Sequence, residues 1–245
     1  IMKRLLSLLL VMATTLQFSF AQENNNLFWT RVVHVKKDKI AEFEKKLPVF
    51  LKTHYPQLSF RVYEIETGTN SGAYAVVTGP LSYKDLDMPM VSPKGDAARN
   101  LDDQALSSLI ESQETLHIRR VGDISMVKPN RNIKFLTVTY REIKVGSWGE
   151  YLDILKRLKA ARIAGDSKID VDFFRPVASG NASAFSAVRF FDKWEEMDYE
   201  EKTADLYDKI NGTGSWSRDI ARLNEITISV RSEIRILRPD LSTSK

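Results

Sequence analysis

The sequence predicts an α+β protein. Two tandem β-α-β-β-α-β repeats pack their antiparallel sheets face to face, an intramolecular pseudo-dimer closing as a barrel. The first observation behind this is that the chain repeats itself. Ser71-Gly72-Ala73-Tyr74-Ala75-Val76-Val77 recurs as Ala182-Ser183-Ala184-Phe185-Ser186-Ala187-Val188, 111 positions later. Ile40, Glu42, Phe43 and Leu47 recur as Trp148, Glu150, Tyr151 and Leu155 at an offset of 108, and Thr115–Arg119 recurs as Thr227–Arg231 at 112. A period of about 110 residues suits a small domain and is too long for a solenoid unit. The second observation is that the hydrophobic period switches between strand and helix values in the same order in both copies.

In the first copy, Phe28 to Lys36 alternates and is rich in aromatic and β-branched residues, a strand pattern. Asp38 is placed to cap a helix running to about His54, with Ile40, Phe43, Leu47, Phe50 and Leu51 on one face and Pro48 expected to kink it. Leu58–Glu66 and Ala73–Thr78 form a hairpin around Thr67–Gly72. Ser82–Asp87 opens a second helical region. It is interrupted by Met88–Gly95, where Pro89 and Pro93 forbid a helix, and resumes over Asp96–Ser112. Thr115–Met126 closes the copy as a strand.

The second copy repeats the order. Ile133–Ile143 is a strand, and Ser147 precedes a helix bearing Trp148, Tyr151, Leu152, Leu155 and Leu158 on one face. Ile169–Arg175 and Ala184–Phe191 pair around Ser179-Gly180-Asn181. Lys193–Ile210 is helical, breaks at Asn211–Gly214 and resumes over Ser217–Asn224. Thr227–Leu237 is the last strand. The domain boundaries are residues 28–129 and 133–239, joined by Asn130-Arg131-Asn132, with a polar lead-in over 22–27 and a tail over 240–245.

Each copy is thus a split βαβ, or ferredoxin-like, unit whose sheet carries both helices on one face and leaves the other bare. Two copies so closely linked cover each other's bare face. In element order and duplication, residues 28 to 239 resemble the dimeric α+β barrel superfamily, fused in tandem. The resemblance implies the fold first. Among known members it also implies haem-handling enzymes, monooxygenases of the antibiotic-biosynthesis type, and proteins without assigned activity.

The N-terminus reads as a secretory leader over residues 1–21. Lys3 and Arg4 are the basic start, Leu5–Leu16 the apolar run, and Ser19-Phe20-Ala21 a small-x-small site for cleavage after Ala21. The expected address is periplasmic or secreted, with no membrane insertion after cleavage. Without Lys3 and Arg4, 34 basic residues face 32 acidic ones, and their even mixing argues against a nucleic-acid partner. An exported chain with no Cys holds itself by burial alone, for which its 43% hydrophobic residues suffice.

Strand alternation assigns an apolar set to the helix side: Phe28, Val32, Phe60, Val62, Leu116, Ile118, Leu136, Val138, Tyr140, Val171, Phe173, Ile228 and Val230. The complementary set faces the other sheet and supplies the candidate ligand-binding residues: Arg31, Arg61, Tyr63, Tyr74, His117, Arg119, Arg141, Phe185, Arg189 and Arg231. Thr139, Asp172, Phe174 and Ser229 fall on the same side. Arginines and aromatic rings in one cleft suit an anionic or aromatic small molecule; equally, Arg pairs with Asp172, Glu64 or Glu233 across a plain interface. The three histidines, His34, His54 and His117, have no metal-binding spacing, and no Gly-rich phosphate loop or nucleophile elbow occurs. No cofactor or metal is expected, and the last strand offers an edge for oligomerisation. Two functions stay open. The main expectation is a non-catalytic small-ligand-binding or interaction module of the bacterial envelope. The alternative implied by the resemblance is a cofactor-free monooxygenase-like or haem-handling enzyme.

Overall fold

The structure is a computed structural model that describes residues 26–87, 96–128, 133–178 and 184–243. The leader, the Met88–Gly95 insert, the 130–132 link and the turn at 179–181 fall outside the described residues. In chain order the elements are β1 (Leu27–Val35), α1 (Ile40–His54), β2 (Phe60–Ile65), β3 (Tyr74–Leu81), α2 (Tyr83–Asp87), α3 (Asp96–Ser107) and β4 (Ile110–Arg120). They continue with β5 (Phe135–Ile143), α4 (Trp148–Ala164), β6 (Val171–Ala178), β7 (Ala184–Phe191), α5 (Thr203–Asn211), α6 (Ser215–Ile226) and β8 (Thr227–Leu237).

The eight strands close into one antiparallel barrel in the order β1-β3-β2-β8-β5-β7-β6-β4. Each half contributes four neighbouring strands in the same relative order, β4-β1-β3-β2 and β8-β5-β7-β6. Two seams join the halves. At one, Tyr63 and Ile65 of β2 stand opposite Leu237 and Arg235 of β8. At the other, Ile118 and Arg120 of β4 stand opposite Pro176 and Phe174 of β6. The helices pack outside. Phe43, Leu47, Phe50 and Leu51 of α1 bury against Val33, Phe60, Val62, Tyr74 and Val76. Tyr151, Ile154 and Leu155 of α4, with Leu223 and Ile226 of α6, bury against Ile143, Val171, Phe173 and Phe185. A third cluster, Val32, Tyr63, Ile65, Ala75, Leu136 and Val138, fills part of the interior.

This third cluster corrects the face assignment made from alternation. Phe28, Leu116, Ile118, Leu136, Val138 and Tyr140 line the barrel interior, and Ile228 and Val230 are exposed near the start of β8. Where helices cover the barrel, as over β2 and β3, both faces of a strand are buried, so hydrophobicity there does not tell the helix side from the inside. Phe60, Val62, Val171 and Phe173 do lie beneath helices.

Three local expectations also change. The helix read through Ser112 stops at Ser107: Lys36 N–H donates to Leu109 O at 3.0 Å, and Ile110–Glu114 pairs with β1. Polar residues carry no alternation there, and ladder pairing sets the conformation instead. The helix read from Lys193 to Ile210 is a short 3-10 turn over Trp194–Asp198 followed by α5. Glu201 holds the break, its carboxylate accepting from Arg162 Nε at 2.9 Å and Thr203 Oγ1 at 2.9 Å. Helix α1 runs unbroken through Pro48.

Candidate active site

The barrel encloses a cavity of about 280 Å³. Its walls are mostly apolar: Phe28, Val77, Leu116, Ile118, Leu136, Val138, Phe174, Val188 and Phe190. Alternation along β1, β3, β4, β5, β6 and β7 aims these side chains inward, because every second residue of a barrel strand faces the interior. Gly79, at φ +143°, also lines it; a β-carbon there would lie 2.5 Å from Cδ1 of Phe28.

A charged and phenolic group interrupts this lining. Arg235, at 5% exposure, reaches the cavity from β8. Its Nε donates to Glu233 Oε1 at 2.7 Å and its Nη2 donates to Tyr140 Oη at 2.7 Å and to Glu233. Tyr140 Oη donates in turn to Glu233 Oε1 at 3.3 Å, and Asn70 Nδ2 donates to Glu233 Oε2 at 3.3 Å. Glu233, at 3% exposure, is the counter-ion without which a guanidinium at this depth would be prohibitively costly. Burial opposes the charge of Arg235, but Tyr140 and Glu233 hold its pKa above the ordinary value. Burial pushes the phenols of Tyr63 and Tyr140 upward, against the pull of neighbouring arginines. Both remain neutral donors at physiological pH.

On another wall stands Asp172 of β6, buried and lining the same cavity. Arg120 Nε donates to its Oδ1 at 2.7 Å. Burial nevertheless dominates and raises the carboxyl pKa, with Ser125, Arg120 and the Phe173 N–H acting the other way. A carboxylate whose proton affinity is raised in an apolar chamber is suited to general-base work.

Of the ten candidate residues from the sequence, Arg61 and Tyr63 line the cavity, Arg61 at its exposed end. Arg231 faces Tyr140 across the β5–β8 ladder, its guanidinium 4.4 Å from that ring, and stays outside the lining. The others point outward. Arg31 lies over Trp29 and donates to Thr115 at 3.1 Å. Tyr74 packs on Phe43 with ring centroids 5.3 Å apart and donates to Glu44 at 2.7 Å. His117 stands opposite Trp29 on the outer face. Arg119 rests over Tyr83, Arg141 donates to Thr227, Phe185 stacks on Trp148 and Arg189 lies over Phe191. Thr30, Tyr140, Ser186 and Arg235 were not among the candidates. The signal that finds Arg235 is the run Arg231, Glu233, Arg235, three charges at every second position of one strand.

No protein-family model matches the chain, and no curated protein matches it in sequence. Solved structures do match in fold. A monooxygenase-like protein from Lactobacillus acidophilus superposes with a TM-score of 0.57 at 8% identity, covering 90% of this chain and 96% of that one. An anthrone oxidase-like protein gives 0.54 at 12% identity, covering 88% and 92%. Chlorite dismutase from Candidatus Nitrospira defluvii, in complex with imidazole, gives 0.56 at 6% identity, covering 89% and 93%. The chain therefore has the dimeric α+β barrel fold. The expectation of a non-catalytic binding module is corrected by these neighbours, which are monooxygenase-like, anthrone oxidase-like and chlorite dismutase proteins.

Proposed function

We propose that the barrel interior is the active site of a cofactor-independent oxidase or oxygenase acting on an aromatic compound with an acidic C–H bond. The observation that carries this is one apolar cavity holding both a base of raised pKa, Asp172, and a buried cationic and phenolic group, Arg235 with Tyr140 and Tyr63. An engineered cavity of roughly 150 Å³ takes benzene, so the 280 Å³ here suits a compound of about two to three fused rings. Asp172 removes the C–H proton. The charge left behind spreads to a conjugated oxygen, which Arg235 and the neutral phenols stabilise in a mostly apolar, preorganised setting. The resulting electron-rich anion is the species that dioxygen oxidises. Overall, a methylene group and one dioxygen give a carbonyl group and one water. One oxygen atom enters the product, and the other leaves with both methylene hydrogens.

The haem-handling alternative asks for an imidazole, thiolate, thioether or phenolate on the iron. Among the described residues no His, Met or Cys lines this cavity, and its two phenols are driven away from the ionised form. His54 is buried against Asp102 at 3.0 Å, and His34 lies 3.4 Å from Asn70. The lining does not fit a haem iron.

The same reading keeps an anionic or aromatic small molecule as partner. We also propose that the halves arose by duplication. In support, Phe43 with Tyr74 and Tyr151 with Phe185 are matching aromatic pairs under the first helix of each half, with centroids 5.3 and 5.5 Å apart. Export through the 1–21 leader is proposed on its residue pattern; a native product beginning at Gln22, read by intact mass, tests it. For the activity, oxygen uptake with anthrone is the direct assay. The native protein should consume oxygen in step with substrate, and Asp172→Asn should lower the rate by about 100-fold or more. Equal rates for both proteins would remove Asp172 from the chemistry.

A further inference from the structure

The ionisable residues of the cavity lining are Arg61, Tyr63, Tyr140, Asp172 and Arg235. Both phenols are neutral, and two of the charged residues are balanced on the spot, Arg235 by Glu233 and Asp172 by Arg120. Arg61 is different. Among the described residues no carboxylate pairs with it, so the lining carries one uncompensated positive charge. An unpaired arginine on an open surface says nothing, because water solvates it. Arg61 is placed otherwise. On β2, Phe60 and Val62 lie beneath α1 while Tyr63 and Ile65 face the interior, which gives Arg61 the inward parity. It lines the exposed end of the cavity, and its charge is felt within, where it opposes the burial that raises the Tyr63 phenol.

The position of Arg61 says what would balance it. In the ring β1-β3-β2-β8-β5-β7-β6-β4, β6 is the fourth strand from β2 in either direction, so Arg61 and Asp172 stand on opposite walls. An anionic group resting on Arg61 is thereby kept away from the carboxylate that serves as base, where like charges would repel. At the exposed end that group also keeps part of its hydration, while an uncharged ring body enters among Leu136, Val138, Phe174 and Val188. A guanidinium offers parallel N–H donors that match a planar anion with two oxygens. We infer that the substrate is an aromatic acid, with its fused rings in the chamber and its carboxylate on Arg61 at the exposed end. This rests on the reading of the interior as the substrate site and names the class of compound that site selects.

Binding of two probes of one shape tests it, measured by calorimetry on the intact protein at neutral pH: naphthoate, which is charged, and naphthamide, which is not. The native protein should prefer naphthoate by about tenfold, which corresponds to about 1.4 kcal/mol. Arg61→Gln, which stays polar without the charge, should bring the two affinities together, while Arg61→Lys, which keeps the charge, should retain part of the preference. Val188→Phe, which fills the chamber, should abolish binding of both probes. If naphthamide binds but naphthoate binds no better, or if the preference survives in Arg61→Gln, the inference is overturned and the cavity reading stands. If the native protein binds neither probe, or if Val188→Phe binds them as well as the native protein does, both are overturned.

Discussion

Asp172 joins two roles that pull in opposite directions. Burial raises its pKa in the folded protein, so any stability the group lends is complete below its unfolded value near pH 4 and fades as pH rises through the folded value. Asp172→Asn cannot ionise and escapes that loss. Its Tm at pH 7 should match or exceed that of the native protein, with the gap closing toward pH 4, even as activity falls. A Tm lower than native at pH 7 but not at pH 4 would mean that the Arg120 ion pair outweighs burial. At this scale the sequence was legible only in part. Arg61 and Tyr63 were placed inside because polarity and strand parity agree there, whereas Tyr140 was assigned to the helix side as one more large residue among Leu136 and Val138. Parity is relative: without the ladder partners, nothing in a strand buried on both faces says which parity is inside.

At the level of elements, the C-terminal segment closes what β8 leaves open. Beyond Leu237, Arg238 N–H donates to Val62 O at 2.8 Å, and Phe60 and Val62 N–H donate to the hydroxyls of Thr243 and Ser242, both at 2.9 Å. Arg238 ties this strap down, donating to Glu44 at 2.6 Å, Glu64 at 2.9 Å and Asp240 at 2.8 Å. Arg238→Ala should cost about 1–3 kcal/mol, a fall in Tm of several degrees. Hydrogen bonding to Arg238 depresses the pKa of Glu44 and of Asp240. Their contribution is therefore present above the ordinary carboxylate range and lost on acidification through the folded values, and the Tm difference should shrink at low pH. On β3, Gly79→Ala would set a β-carbon against the Phe28 ring and the Leu27 carbonyl at a backbone angle few side chains adopt. A loss of about 1–3 kcal/mol in denaturant unfolding is expected. The elements legible in the sequence were those with a clear period, such as β7 and β8. The start of β4 and the Trp194–Lys202 stretch were not, because ladder pairing and the Glu201 carboxylate set their shape.

For the whole molecule, the repeat in the sequence carried the argument furthest. Two similar halves imply two similar sheets, and each sheet in isolation would leave an apolar face bare. What the repeat did not locate is the pair of seams, β2–β8 and β4–β6, at which the sheets join edge to edge around a lined chamber. Closure at β2–β8 depends on pairings between residues more than a hundred positions apart, to which no local pattern is sensitive. The central claim is that the chemistry happens in that chamber. Val188 lines it and carries no group that could react, and a phenylalanine there fills the space a substrate would occupy. Oxygen uptake with anthrone by Val188→Phe, in protein whose Tm and circular dichroism match the native, is the direct measurement. The account predicts that uptake is lost; uptake at the native rate would contradict it and put the reaction elsewhere on the molecule.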